Sequence, residues 1–169
     1  MWLPAEPKIS PAKVRGQKRC PANSLLGVAV YRSMGVALRG ISILIVEDDT
    51  DTRDLLRVLL ESDGGFVVTT ASVKEALSAY DRRRPDVVVA DIGMPEYNGY
   101  TLIGRIRARD REHGSIVPAI ALTAYATSMD RDTVLSAGFQ LHMPKPFEPD
   151  KLITAIVDLA TKYKQSNAD

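Results

Sequence analysis

Residues 87–91 read Val-Val-Val-Ala-Asp. Four small apolar residues, three of them β-branched, run without a polar interruption into a carboxylate. A strand with one wet face alternates apolar and polar positions. A strand with no polar position is covered on both faces, as parallel strands between helix layers are. The same arrangement repeats outward from this stretch. Ile43-Leu44-Ile45-Val46 runs into Glu47-Asp48-Asp49. The spacing predicts a helix over 51–61, with Leu55, Leu56, Val58, Leu59 and Leu60 on its apolar face, stopped by Gly64-Gly65. A strand over 66–70 follows. Ser72, with Glu75 three residues on, forms a capping box for a helix that buries Val73, Ala76, Leu77 and Tyr80 and breaks before Pro85. Beyond Asp91 come a helix over 99–109, a strand over 117–122, a helix over 128–137 stopped by Gly138, a short strand over 140–143 and a final helix over 150–162. Strands and helices that alternate in this way build an α/β fold: a doubly wound, five-stranded parallel sheet flanked by five helices.

In such sheets ligands sit beyond the carboxyl ends of the strands. Glu47, Asp48 and Asp49 follow the first strand, Asp91 ends the third, Thr123 follows the fourth, and Lys145 with Pro146 follows the fifth. One aspartate after a strand reads as a helix cap, and one lysine as a solvated side chain. Carboxylates, a hydroxyl and an ammonium delivered from four loops to one edge read as a site. Phosphoryl transfer onto a carboxylate needs a nucleophilic oxygen, a divalent cation and fixed positive charge around the transferring oxygens. Asp91 is the candidate nucleophile. Asp48, with Glu47 beside it, is the candidate holder of Mg²⁺, a small hard cation that takes one or two carboxylates with waters and substrate oxygens. Lys145 offsets the repulsion among the clustered carboxylates.

Composition bounds the rest. The single cysteine, Cys20, excludes an internal disulfide framework and a four-thiolate zinc site. His113 and His142 are the only imidazoles, which excludes a histidine-rich metal centre. No apolar run approaches the length of a membrane span, so no membrane role is expected. Residues 1–40 carry seven basic residues against Glu6, whereas 41–169 carry 15 basic and 20 acidic residues. Four prolines among scattered Lys and Arg over 1–24, with no apolar period, predict a weakly ordered tail. Residues 25–38 are more apolar but are broken by Gly27, Arg32 and Gly35. A secretory signal, a nucleic-acid-binding arm, a true start at Met34 and the remnant of an upstream domain all remain open for this segment. The expected organisation is a basic tail over 1–40, a folded domain over 41–164 and a polar tail over 165–169.

The segment 41–162 resembles a bacterial response-regulator receiver domain. The matching residues are ILIVEDD at 43–49, VVVADIGMPEYNGYTLI at 87–103, IALTA at 120–124 and KPF at 145–147. The run with ALTAYA and the late PKPFEPD looks most like receivers attached to hybrid sensor histidine kinases. The resemblance implies a flavodoxin-like sheet of strand order 2-1-3-4-5, and an aspartyl phosphate formed on Asp91 by a histidine kinase or histidine phosphotransfer protein. It implies Mg²⁺ held by Glu47, Asp48, Asp91 and the backbone carbonyl of Gly93. It also implies that Lys145 pairs with the phosphoryl group, that Thr123 moves to hydrogen-bond it, and that Lys145-Pro146 is a cis peptide. The family carries an aromatic switch residue three positions before the lysine. Here that position is His142, read either as a partly buried edge-strand histidine or as the switch itself. Met94-Pro95 and Asn98-Gly99 read as turn chemistry. A downstream protein effector, no direct DNA binding and a cytoplasmic location are the corresponding expectations, for a signalling module that is not a dedicated enzyme.

Two other functions compete. Asp49-Thr50-Asp51 mimics the DxD of haloacid-dehalogenase-type phosphohydrolases, although Glu47 and Asp48 intervene after the strand. A degenerate receiver acting only as a protein-interaction module is the second. Nucleotide-binding enzymes are disfavoured, because neither GxxxxGK nor GxGxxG is present after the first strand.

Overall fold

The computed structural model describes residues 36–94, 99–124 and 128–166, with backbone alone over 128–130. Strands β1 (Ser42–Val46), β2 (Phe66–Thr70), β3 (Val87–Asp91), β4 (Ala119–Thr123) and β5 (Leu141–Pro144) alternate with helices α1 (Thr50–Ser62), α2 (Val73–Arg82), α3 (Gly99–His113), α4 (Ser128–Ala137) and α5 (Pro149–Ser166). The five strands form one parallel sheet in the order β2-β1-β3-β4-β5, as the resemblance implied. Readings that fall on 1–35, on Pro95 and Asn98, and on 167–169 lie outside the described residues.

Strand alternation divides the core in two. Leu44, Val46, Val88, Ala90, Ala119 and Ala121 face α2, α3 and Val134 of α4. Ile43, Ile45, Val87, Val89, Ile120 and Leu122 face α1 and α5. The uninterrupted apolar runs in sequence thus reflect two covered faces. The Ser72 hydroxyl caps the helix as predicted, accepting from the Glu75 N–H at 3.3 Å, whereas the Glu75 carboxylate reaches one residue beyond the cap of a capping box, to the Ala71 N–H at 3.0 Å.

Several boundaries differ from expectation for identifiable reasons. Strand β4 begins at Ala119, not Val117: Pro118 has no N–H to give a ladder, and the Val117 N–H turns to the Asp110 carboxylate at 3.3 Å. Helix α3 runs to His113, where Gly114 adopts φ +69°, instead of ending at 109. Helix α5 continues to Ser166, with Lys164 paired to Asp86 at 3.1 Å, so it extends past the expected domain end at 164. The apolar face of α1 is narrower than predicted. Leu56 and Leu60 are buried, but Leu55 and Val58 point to solvent. The packed chain also begins earlier than residue 41. Leu38 is fully buried in the α1–α5 core, and its N–H donates to the Asp63 carbonyl at 2.9 Å, so it belongs to the core and not to a tail.

A buried polar knot ties α2 to α3. Asp110 is 2% exposed and accepts from the Tyr80 hydroxyl, from Arg84 and from Arg107. Burial and the Asp110 bond push the Tyr80 phenol up to about 12. Two cations and a hydroxyl thereby satisfy a carboxylate that would otherwise be costly to bury.

Candidate functional site

Four strand ends, those of β1, β3, β4 and β5, build the site. The Glu47 N–H continues the β1–β2 ladder, donating to the Thr70 carbonyl at 3.1 Å, and the residue is 1% exposed. The chain then turns outward, leaving Asp48 exposed. Arg53 in the first turn of α1 reaches back to the carbonyls of Glu47 and Asp48 at 2.9 and 3.1 Å and fixes this turn. Asp91 closes β3 in the centre of the sheet. One of its carboxylate oxygens accepts from the Gly93 N–H at 2.9 Å, the other from Lys145 Nζ at 3.0 Å. Lys145 also donates to Glu47 at 2.8 Å, so one ammonium bridges the carboxylates of β1 and β3. The Lys145 backbone N–H bonds the Thr123 carbonyl at 2.7 Å, and the Lys145-Pro146 bond is cis, as the resemblance implied. Thr123 itself is 5% exposed at the end of β4.

Carboxylate oxygens of Glu47, Asp48 and Asp91 lie within 4.8 Å of one another, and oxygen donors of this kind suit a small hard cation. Burial pushes the Glu47 carboxyl above its ordinary value. The Lys145 bond works against that push, and the Asp91 charge adds to it. Burial pulls the Lys145 ammonium down, but its bonds to Glu47 and Asp91 outweigh that pull and hold it above its ordinary value. The site therefore keeps a charged lysine among crowded negative charge. A dication beside those carboxylates would relieve the same repulsion.

Every expected site residue is described, and each sits at this edge except His142. That residue lies within β5, paired in register with Ala121, and its Nε2 is buried with no hydrogen-bond partner. Asp49 stands apart from the cluster. Its carboxylate caps α1 by accepting from the Thr52 N–H at 2.8 Å, and that contact holds it below the ordinary value. The aspartate on which a DxD nucleophile reading depends is thus engaged as a helix cap. Two contributors escaped the sequence reading. Arg53 carries no signal beyond being basic in a first turn. Gly99 read as turn chemistry, yet its φ is not positive; a Cβ there would stand 2.9 Å from the Asp91 carbonyl oxygen. Glycine is required by the close approach of α3 to the backbone of Asp91, and the signal was its place eight residues after a strand-end aspartate.

A parallel sheet in the order β2-β1-β3-β4-β5 thus carries an acidic pocket and an inward lysine at the carboxyl ends of its strands. Residues 43–157 match the family model of the response regulator receiver domain, and the chain belongs to that family, a component of two-component signalling. It is 46% identical over 119 residues to an uncharacterized 14.6 kDa protein of Leptolyngbya boryana, covering 70% of this chain and 89% of that one. It is 35% identical over 123 residues to the response regulator SaeR of Staphylococcus aureus, covering 73% of this chain but 52% of SaeR, about half its length. Among solved structures, the receiver domain of the sensor histidine kinase PA1611 from Pseudomonas aeruginosa, with magnesium coordinated in its active-site cleft, aligns with TM-score 0.65 and 32% identity. That alignment covers 72% of this chain and 98% of the other. Among the described residues, no helix is long and apolar enough to cross a membrane.

Proposed function

We propose that the chain accepts a phosphoryl group on Asp91 from a histidine kinase or a histidine phosphotransfer protein, with Mg²⁺ as cofactor. The observation that carries this reading is the placement of Lys145 Nζ 3.0 Å from Asp91 and 2.8 Å from Glu47, in a cluster that includes Asp48. A carboxylate oxygen of Asp91 attacks the phosphorus of a phosphohistidine. The P–N bond breaks, an acyl phosphate forms, and the imidazole leaves. Lys145 exchanges its contact with Asp91 for the phosphoryl oxygens while keeping Glu47. The Thr123 hydroxyl approaches the same oxygens. Glu47, Asp48, Asp91 and the Gly93 carbonyl would hold Mg²⁺, which supplies electrostatic neutralisation of the transferring group. The domain is a switch and not a dedicated enzyme, acting on a downstream protein effector without contacting DNA itself, and a cytoplasmic setting fits its donors.

Asp91→Asn is close to isosteric but cannot form the anhydride. It is expected to abolish labelling by acetyl phosphate with Mg²⁺, with the circular dichroism spectrum unchanged. Undiminished labelling would overturn the assignment. Turnover of added phosphoesters, with water as acceptor and release of inorganic phosphate, in place of durable labelling, would favour a phosphohydrolase, and no reaction at all would favour the degenerate interaction module.

The added phosphoryl group brings about two negative charges. Its contact with Thr123 draws in the end of β4 and opens space beside β5, where His142 stands. His142→Ala is expected to leave labelling of Asp91 nearly intact while blunting the change in amide exchange along β4 and β5 on addition of beryllofluoride. Equal changes in both proteins would reduce His142 to a structural residue.

A further inference from the structure

Helices α2 and α3 leave an open groove of about 500 Å³ between their outer faces, within the roughly 300–1,000 Å³ range of small-molecule sites. Its floor is Leu77, which is 6% exposed. Lys74, Ser78 and Arg82 recur at every fourth residue on the α2 side, and Arg105 and Arg109 stand one turn apart on the α3 side.

The charge of this groove runs against that of the domain around it. Residues 41–169 carry 15 basic and 20 acidic residues, yet four of those basic residues meet here against one acid, Asp81. Asp81 is already satisfied. Its two oxygens accept from Arg109, at 2.6 Å from Nε and 3.0 Å from Nη2, and that pairing holds its carboxyl below the ordinary value. One carboxylate thus takes a single guanidinium fork from the groove. Glu75, beside Lys74 in sequence, is turned back to the Ala71 N–H. Lys74, Arg82 and Arg105 are exposed and have no ion pair among the described residues.

Three such cations and the Ser78 hydroxyl, brought together from two helices over an apolar floor, exceed what a lone carboxylate needs. A phosphate chain carries more charge and more acceptor oxygens on a compact frame, and guanidinium forks match phosphoryl oxygens in pairs. Among the described residues no aromatic ring lines the groove, so a nucleobase finds no stacking surface there. The geometry points to a binding site between α2 and α3 for an inorganic phosphate chain of the pyrophosphate or tripolyphosphate class, held by Lys74, Arg82 and Arg105 while Arg109 stays on Asp81. The site does not use the Asp91 cluster and stands independently of the phosphoacceptor reading.

The test is a titration of the full chain, without Mg²⁺ and at fixed ionic strength, followed by amide NMR. Pyrophosphate is expected to shift the amides of 74–82 and 105–109 in a saturable way, and tripolyphosphate to bind more tightly. The combined substitution Arg82→Gln and Arg105→Gln should weaken binding about tenfold or more; both side chains are exposed, and unchanged core amide shifts check the fold. Shifts that do not saturate, that are confined to the basic segment 1–40 or to the strand-end pocket, or that ignore the two substitutions would overturn the proposal. Citrate binding as tightly as pyrophosphate would reassign the groove to carboxylate ligands. ADP binding more tightly than pyrophosphate would show that a nucleoside is recognised, and would overturn the phosphate-chain assignment.

Discussion

Asp86 precedes β3, and its carboxylate accepts from the Ser42 N–H at 2.7 Å, the Ser42 hydroxyl at 2.9 Å and Lys164 at 3.1 Å. It thereby joins the start of β1 to the end of α5. Burial alone would raise this carboxyl, but the Ser42 bonds and Lys164 outweigh it and hold it below its ordinary value of 3.8. A folded value below the unfolded one means that the unfolded chain binds more protons in the window between them. The stabilisation is therefore present above the ordinary value and lost as pH falls through the depressed one. Asp86→Ala is expected to cost about 2 kcal/mol near neutrality, the scale of a hydrogen-bonded charge. In urea unfolding, the gap from wild type should narrow in acid. A gap independent of pH would show that packing, not the charge, is what Asp86 contributes.

Within a single element, α3 contains two glycines with opposite requirements. A Cβ at Gly99 would meet the Asp91 carbonyl oxygen at 2.9 Å and the Ile92 Cα at 3.0 Å, both backbone atoms that cannot yield. A Cβ at Gly104 meets nothing within 4 Å. Gly99→Ala is expected to cost about 1–3 kcal/mol and to slow labelling of Asp91, because the start of α3 must lift from the nucleophile's backbone. Gly104→Ala should instead gain up to about 1 kcal/mol from helix propensity. Thermal unfolding of the two variants, with acetyl phosphate labelling rates, tests both signs together. Equal effects would place the cost in the helix itself and not in its contact with the site.

On the scale of the whole molecule, the fold begins ahead of its first strand. Leu38 is fully buried with Ile43, Leu60 and Leu152 in the core beneath α1 and α5. Leu38→Ala is expected to cost about 2–5 kcal/mol. Chains beginning at Met34 should keep the midpoint of the full chain within a few degrees in calorimetry, whereas chains beginning at Ile41 should melt well below it. Similar midpoints for the two would mean that Leu38 contributes little to the closed core despite its burial.

Residue pattern alone predicted the five strand–helix units and the gathering of Asp48, Asp91, Thr123 and Lys145 at one edge of the sheet. Short unbroken Val, Ile and Leu runs bounded by turn residues read as strands covered on both faces, and the residues at their ends are fixed to one edge once the strands are parallel. Asp91, Asp48, Lys145 and Thr123 were legible for that reason. Which side of α1 is buried was settled by packing, because Leu55 and Leu56 carry the same local signal and differ only in what packs against them. Tertiary contacts also buried Leu38, drew the Val117 N–H to Asp110 and turned Arg53 onto the loop carbonyls. Each depends on a partner distant in the chain or on a turn whose path periodicity does not encode. The need for glycine at Gly99 is of the same kind: it comes from the close approach of two backbones, which no residue pattern records.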